Sequence, residues 1–303
     1  MEDQTRIAEL DRLFEEVGTY RTSSEYKELL QFIKRFRKIA PFNAMLLHIQ
    51  KPGSTFVASV YDWEVRFGRR PKPGARPLVI LRPFGPVAFV FELNDTEGTP
   101  FPEELLEPLQ AIGTVTEERL QSFIKSLYFE GIRVEQQDYG ATEAGYVSVN
   151  ETFGQHLTRE GKIIFRVPFE LVINKNLDPT TKLATIFHEL GHIYCGHLSQ
   201  MVIPKLKYLP QRGGLPNNNR EFEAESVCWL LCEREGINNP SAKYLSGYLD
   251  NNTHIPAISI DAVLKAVTAI EHLWEGNRTP RKELIVRREK ADQQLTLFDY
   301  HYS

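Results

Sequence analysis

The chain has 303 residues, of which 42% are hydrophobic and 25% charged, and its net charge is -4. This composition is ordinary for a soluble globular protein of one or two domains and excludes a generic polyanion binder. The three cysteines, Cys195, Cys228 and Cys232, argue against a disulfide framework and for a reducing compartment. Because no secretory signal and no membrane span are recognisable, we expect a cytoplasmic protein.

The first part of the chain alternates predicted helices and strands. Apolar residues recur every three or four positions over residues 4–17 and 23–39, which predicts amphipathic helices. A short apolar helix is expected after Pro41. Strands separated by Pro- and Gly-rich turns are expected at 57–60, 78–81 and 87–93. The polar, turn-rich segment 94–102 then marks the best candidate for a domain boundary.

The remainder of the chain predicts a mixed architecture. A helix is expected at 117–129, and Asp178 followed by Pro179 favours the start of another helix. Later helices are expected at 220–235 and 258–275, after a loop rich in Pro, Gly and Asn. Short strands are expected at 132–138, 145–149, 163–167 and 171–173. We therefore predict an α+β protein with domains at 1–95 and 96–290 and a tail at 291–303.

The helix that begins at Asp178 contains the sequence His-Glu-Leu-Gly-His at 188–192. A spacing of four residues places His188 and His192 on one helix face, where both can bind one zinc ion. Glu189 can then act as the general base that activates water. The alternative is two surface histidines on an amphipathic helix. His197 lies nine residues after His188, about 180° around a helix, and is not expected to be a ligand.

A third ligand is expected from the later acidic helix, where residues 221–225 read Glu-Phe-Glu-Ala-Glu. Glu221 is the preferred metal ligand and Glu225 the second choice. If Glu221 binds the metal, Glu225 lies one turn further on the same face and can accept a hydrogen bond from a ligand histidine. Glu223 projects differently and is expected to be solvated. The strand at 171–174 is assigned to substrate binding by strand addition, unless it is central in the sheet.

These motifs resemble the ImmA/IrrE metallopeptidase family and the related peptidase half of ArdC-type antirestriction proteins, over roughly residues 165–235. The resemblance implies zinc ligands at His188 and His192, a catalytic role for Glu189, and an acidic third ligand at Glu221. It also implies a protein substrate, often a DNA-binding transcriptional repressor, cleaved when DNA damage or single-stranded DNA is present.

The N-terminal part resembles the single-stranded-DNA-binding domain of ArdC proteins, through the segments 43–47, 57–63 and 67–74. Between Lys51 and Pro86 there are seven basic and two acidic residues, with aromatic residues interleaved. Cations for phosphates and aromatic faces for bases are typical of sequence-tolerant single-strand binding. The alternative is a solvated basic hairpin whose aromatic residues form a core. The candidate DNA-binding residues are Lys51, Trp63, Arg66, Arg69, Arg70, Lys72 and Arg76.

The tail carries Gln294, Leu295, Leu297 and Phe298 within a pentapeptide that resembles the motif by which bacterial DNA-repair and replication proteins dock on the sliding clamp. The alternative is a terminal segment that packs on its own domain.

Together the motifs predict a zinc endopeptidase that cleaves a protein partner in response to single-stranded DNA or DNA damage. The alternatives are an antirestriction protein that binds single-stranded DNA with secondary or no peptidase activity, and a protease of DNA-crosslinked proteins. A structural zinc protein is disfavoured because it needs four protein ligands.

Overall fold

The computed structural model describes residues 23–36, 38–82, 85–102, 106, 113–138, 144–150, 157–160, 163–199, 206–237, 255–276 and 279–288. The predicted helix at 4–17 and the tail at 291–303 lie outside these residues. Within the described part of the chain, no helix combines the length and the apolar character that crossing a membrane requires.

The N-terminal part combines three helices among the described residues with short antiparallel strands. The helices are α1 (Ser23–Arg35), α2 (Pro41–Gln50) and α3 (Val60–Phe67). The strands are β1 (Val57–Ala58), β2 (Arg69–Pro71), β3 (Leu78–Arg82), β4 (Gly85–Glu92) and β5 (Thr96–Gly98). Strand β4 pairs with β1 on one side and β3 on the other, and β2 pairs with β5.

Helix α3 replaces part of a predicted strand, so the prediction of a strand at 57–60 was wrong beyond Ala58. The Ser59 side chain accepts a hydrogen bond from the backbone N–H of Asp62 and caps the helix. Gly68, with φ of 60°, ends it in the left-handed conformation that glycine adopts without strain. The apolar residues of the segment 57–60 had favoured a strand, but the cap at Ser59 starts a helix.

The segment 94–102 is folded onto the N-terminal strands. Within it, β5 pairs with β2 in the register Arg69 opposite Gly98 and Pro71 opposite Thr96. The pairing ties residues 96–98 to the strands before them. The proposed division of the chain at 95/96 stays a prediction.

The C-terminal part combines helices with a mixed sheet and an antiparallel sheet. The helices are α4 (Glu117–Phe129), α5 (Pro179–Tyr194), α6 (Asn217–Glu235) and α7 (Ile260–Glu275). The strands are β6 (Ile132–Gln137), β7 (Gly145–Val149), β8 (Leu157–Glu160), β9 (Ile163–Arg166), β10 (Phe169–Asn174) and β11 (Ile285–Arg288). In the mixed sheet, of order β6-β10-β7, strand β10 lies between β6, to which it is parallel, and β7, to which it is antiparallel. The antiparallel sheet has the order β11-β9-β8. The α+β class predicted from sequence is confirmed.

Helices from the two parts share one core. The rings of Tyr26 on α1 and Phe222 on α6 lie 5.6 Å apart. The buried guanidinium of Arg234 on α6 donates to the backbone carbonyls of Ile33, Phe36 and Ile39, each at 3.1 Å. These carbonyls lie at or just beyond the end of α1, and those of Ile33 and Phe36 also accept backbone hydrogen bonds from Phe36 and Ile39. The N-terminal helices therefore stabilise the helix that carries the acidic motif.

Candidate metal centre

Helix α5 begins where the sequence predicts. The Asp178 carboxylate accepts hydrogen bonds from the backbone N–H groups of Thr180 and Thr181, at 3.0 and 3.2 Å. Pro179 occupies the first turn, where its missing N–H costs nothing. These hydrogen bonds hold the pKa of Asp178 below its usual value, led by the bond from the Thr181 hydroxyl. The cap fixes the start of the helix and hence the rotation at which the later histidines face the rest of the molecule.

Helices α5 and α6 approach closely at Gly191 and Ala224. A Cβ built on Gly191 would lie 2.9 Å from the Cα of Ala224 and 3.2 Å from its carbonyl oxygen. Carbon atoms in ordinary contact are about 3.5–4.0 Å apart, so only glycine fits at position 191 without a shift. This contact lies between the two histidines of α5 and opposite the acidic run of α6. It therefore sets the distance between the two sets of side chains.

Three candidate ligand atoms meet at this helix pair. The Nε2 atoms of His188 and His192 are 3.2 Å apart, and the Oε2 atom of Glu221 lies 3.4 and 3.6 Å from them. A tetrahedral zinc with bonds of about 2.1 Å would hold its ligand atoms about 3.4 Å apart. The three atoms thus occupy the corners of one tetrahedral face, and among the described residues they form a group that could hold a metal ion. The donor set of two imidazoles and one carboxylate fits zinc.

Glu225, the second choice for the third ligand, faces the far side of His188. Its Oε1 atom lies 3.3 Å from Nδ1 of His188, the ring nitrogen that points away from the candidate metal position. Glu221 therefore lies beside the two Nε2 atoms, whereas Glu225 lies behind His188. Burial disfavours the charged imidazole, but the two carboxylates outweigh burial and raise the pKa of His188 to about 11. Pairing with His188 and His192 holds the pKa of Glu221 far below its usual value. A divalent cation would displace protons from this cluster.

Glu189 lies beside the same group and is almost fully buried. Burial raises the pKa of its carboxyl, although His188 and His192 act in the opposite direction. The backbone of Val147 on β7 acts in the same direction as the two histidines and lowers this pKa. A carboxylate with a raised pKa beside a candidate metal position has the properties of a general base.

Glu223 is not solvated, so the sequence-based expectation was wrong. Its side chain is 0% exposed, and each of its two oxygens accepts two hydrogen bonds. Oε2 accepts from the Nε2 atom of His197 at 2.8 Å and from Arg212 at 2.6 Å. Oε1 accepts from Arg212 at 2.6 Å and from the backbone N–H of Ser259 at 2.7 Å. Burial favours the neutral acid, but these donors outweigh it and lower the pKa of Glu223.

His197 lies behind His192, outside the three-atom ligand cluster. The Nδ1 atoms of the two rings are 3.0 Å apart. Cys195, His197 and Glu223 also lie close together, but the Glu223 carboxylate already neutralises the Arg212 guanidinium. That arrangement suits a hydrogen-bonded core better than a cation site. The HExxH pattern gave no indication of a third histidine in this position.

The strand at 171–174 is not an edge strand, because β10 has β6 on one side and β7 on the other. The primary assignment of this strand to substrate binding was wrong, and its alternative placement in the centre of the sheet is confirmed. Strand β7 is the outer strand on the side of Glu189, and in the described part of the chain it pairs only with β10. Tyr194 on α5 directs its hydroxyl to Glu130.

In the basic N-terminal segment, the exposed aromatic residue is not the one expected. Trp63 is 0% exposed, donates to the carbonyl of Phe91 at 2.9 Å, and packs against Phe56, Phe67 and Phe101. It is a core residue, so its assignment as a DNA-stacking residue was wrong. The helix rotation set by Ser59 turns Trp63 inward and leaves Tyr61 70% exposed.

The candidate cations divide into two groups. Lys51 forms ion pairs with Glu92 and Asp95, and Arg69 donates to Thr96 and Thr99, so both hold the local fold together. The other four candidates have exposed side chains: Arg66, Arg70, Lys72 and Arg76. Three of these cations still interact with neighbouring groups. The Arg66 guanidinium lies 3.6 Å from the Asp62 carboxylate, and the Arg70 guanidinium lies 3.2 Å from the Glu97 carboxylate. The Lys72 ammonium donates a hydrogen bond to the Asn94 carbonyl.

Comparison with known proteins gives one structural and one family similarity. The crystal structure of the antirestriction protein ArdC from plasmid R388, in metal-free form, aligns over 77% of this chain and 81% of its own, with 18% identity and a TM-score of 0.34. No curated protein sequence gives a significant match. Residues 147–228 match the family model of the IrrE N-terminal-like domain, Peptidase_M78. The part of the chain that carries both histidines and Glu221 is therefore similar to a peptidase family, in agreement with the ImmA/IrrE resemblance of its motifs.

Proposed function

We propose that the protein is a zinc-dependent endopeptidase that hydrolyses a peptide bond in a protein partner. The observation that carries this proposal is the tetrahedral spacing of the Nε2 atoms of His188 and His192 and the Oε2 atom of Glu221, next to the buried carboxylate of Glu189. Three protein ligands leave one coordination position open, which is typical of catalytic zinc sites and not of structural ones.

The residues around this position divide the chemistry between them. A bound zinc ion would supply a Lewis acid that polarises the scissile carbonyl and acidifies water. Glu189 takes the proton from the attacking water and returns it to the leaving amine. Its raised pKa suits both steps, because the group must accept a proton and then release it near neutral pH.

The substrate strand is proposed to add to β7. This strand is the outer strand of its sheet within the described residues, and its residue Val147 lies close enough to Glu189 to influence the pKa of that carboxyl. A peptide that extends the sheet at this edge would bring its backbone beside the proton-accepting carboxylate. Tyr146 on the same strand is 42% exposed and offers an apolar contact to a substrate side chain.

The test of the peptidase proposal is Glu189→Gln, with Glu118→Gln as the matched control. Glu118 lies on the exposed side of α4, so the same chemical change there leaves the site untouched. We expect Glu189→Gln to bind zinc but to lose cleavage by at least 100-fold, as expected for removal of a general base. Full biological activity of Glu189→Gln would instead favour a DNA-binding antirestriction protein without an essential peptidase.

The proposed substrate is a DNA-binding repressor, cleaved in response to single-stranded DNA or DNA damage. Proteomics of cells that make the wild type or Glu189→Gln, with and without damage, identifies the substrate directly. One truncated partner supports the repressor proposal. Broad cleavage of proteins attached to DNA would support a protease of DNA-crosslinked proteins.

A second proposed activity is single-stranded DNA binding by the N-terminal part. The supporting observation is that Tyr61 is 70% exposed while Arg66 and Arg70 expose 70% and 74% of their side chains. An exposed aromatic side chain and exposed cations in the same short segment are the combination that binds single strands. It replaces the set that included Trp63, Lys51 and Arg69.

Fluorescence anisotropy with a labelled oligothymidine tests this activity. We expect Tyr61→Ala to weaken binding by roughly 5- to 150-fold, since one stacking contact contributes about 1–3 kcal/mol. Tyr146→Ala is the control, because it removes an exposed tyrosine far along the chain, on β7. Equal affinities of the two variants would exclude Tyr61 from the DNA contact.

Docking of the tail on the sliding clamp stays a prediction, because residues 294–298 lie outside the described residues. Deletion of 294–303 is expected to abolish clamp binding, and unchanged affinity would rule the motif out.

A further inference from the structure

We infer that His197 is a positioning residue for the metal ligand His192, through a hydrogen-bonded chain that ends on Glu223. The inference rests on the proposed metal site. It assigns a role to residues that lie outside the HExxH motif and outside the acidic third ligand.

The geometry fixes which group donates and which accepts at each step of this series of hydrogen bonds. If His192 binds a metal through Nε2, that nitrogen uses its lone pair, so the proton of the neutral ring must be on Nδ1. The Nδ1–H of His192 then donates to Nδ1 of His197, which lies 3.0 Å away. His197 in turn carries its own proton on Nε2 and donates it to Oε2 of Glu223 at 2.8 Å. Each bond determines the tautomer of the next ring.

The far end of the chain is held rigidly. Glu223 is fully buried, and besides His197 it accepts two hydrogen bonds from Arg212 and one from the backbone N–H of Ser259. Arg212 also donates to the carbonyl of Cys195. The carboxylate therefore connects the end of α5 to the loop before α6 and to the start of α7. A ring held by these contacts has little freedom to rotate away from His192.

The two histidine ligands are thus supported by different groups. His188 has the carboxylate of Glu225 behind it, 3.3 Å from Nδ1, which is the usual arrangement for a metal-binding histidine. His192 has a second histidine interposed between it and its carboxylate. His197 is neutral in this arrangement, and the chain orients His192 without placing a carboxylate in contact with it.

The test compares three substitutions that remove different contacts of His197. His197→Phe removes both. His197→Asn keeps an acceptor near the Nδ1 position, facing His192, and loses the bond to Glu223. His197→Gln reaches the Nε2 position, keeps the bond to Glu223, and loses the acceptor facing His192. The matched control is His272→Phe, because His272 is exposed on α7.

The measurements are zinc affinity by chelator competition, the visible absorption of the Co²⁺-loaded protein, and thermal unfolding of the metal-free protein. We expect His197→Phe and His197→Gln to bind zinc about 10- to 100-fold more weakly than the wild type. We expect His197→Asn to recover most of that loss and to restore the Co²⁺ spectrum. His272→Phe should match the wild type.

Two results would overturn the inference. One is a His197→Gln protein with the zinc affinity and Co²⁺ spectrum of the wild type. The other is a His197→Asn protein that binds zinc no better than His197→Gln, which would show that His197 only fills the core. The pair remains decisive if His197→Phe does not fold. A wild-type protein that binds no metal overturns the proposed function and this inference together, whereas a metal-binding wild type with unaffected variants overturns the inference alone.

Discussion

The most direct test of whether helix packing sets the spacing of the candidate ligands is Gly191→Ala, because it changes one helix contact and no candidate ligand. The added Cβ would lie 2.9 Å from the Cα of Ala224 and 3.3 Å from its Cβ. To restore ordinary contact distances of about 3.5–4.0 Å, α5 and α6 must separate by roughly 0.5–1 Å. His188 and His192 lie on one of these helices and Glu221 on the other.

The shift has separate consequences for stability and for metal binding. Overpacking costs about 1–3 kcal/mol, and replacing glycine by alanine in a helix returns about 1 kcal/mol. The free energy of unfolding of the metal-free protein should therefore fall by about 0–2 kcal/mol. Metal sites tolerate deviations of only about 0.2 Å in ligand distance, so a larger displacement of Glu221 should weaken zinc binding at least tenfold.

Chelator competition for zinc and urea unfolding without metal measure the two effects. Gly53→Ala is the matched control, because a Cβ at Gly53 has nothing within 4 Å. The control should bind zinc as the wild type does. If Gly191→Ala also retains wild-type zinc affinity, the contact with Ala224 does not set the spacing of the ligand atoms, and the reasoning is refuted.

Two further predictions concern the helices that support the site. Asp178→Ala removes the cap of α5 and should lower the free energy of unfolding at pH 7 by about 1 kcal/mol. Because the folded-state pKa of Asp178 is lowered, its contribution is complete above the unfolded value of roughly 3.9 and is lost as the pH falls through the folded value. The difference between wild type and variant in urea unfolding should thus shrink below about pH 4, and a constant difference would contradict the assignment. Arg234→Met removes a buried guanidinium that pairs with Glu271 and donates to three carbonyls, and should cost about 3–5 kcal/mol. Arg234→Met with Glu271→Gln should recover part of that loss in the same assay, and no recovery would contradict the pairing.

Local sequence patterns predicted the core of the candidate site because its geometry is local. A cap at Asp178, a proline in the first turn and two histidines four residues apart determine which face of α5 carries the imidazoles. The same rule of helical spacing placed Glu221 and Glu225 on one face of α6. The structure then brings that face within 3.4 Å of His188. The ranking of Glu221 above Glu225 as a ligand agrees with this placement and remains a proposal until metal binding is measured.

Other features depended on contacts between residues far apart in the chain. The sequence showed Glu223 between two candidate ligands. It did not show that Arg212, His197 and the backbone N–H of Ser259 donate hydrogen bonds to its carboxylate. Periodicity also did not reveal that Trp63 turns inward, because a single cap at Ser59 converts a strand-like run into a helix.

Local sequence thus specifies the identity and spacing of groups along single helices, since helical geometry repeats every 3.6 residues. The distance between two helices, the outermost strand of a sheet and the burial of individual charges follow only from the folded arrangement. Those properties depend on long-range packing, such as the contact of Gly191 with Ala224 and the position of β10 between β6 and β7. Packing of this kind leaves no periodic signal in the sequence.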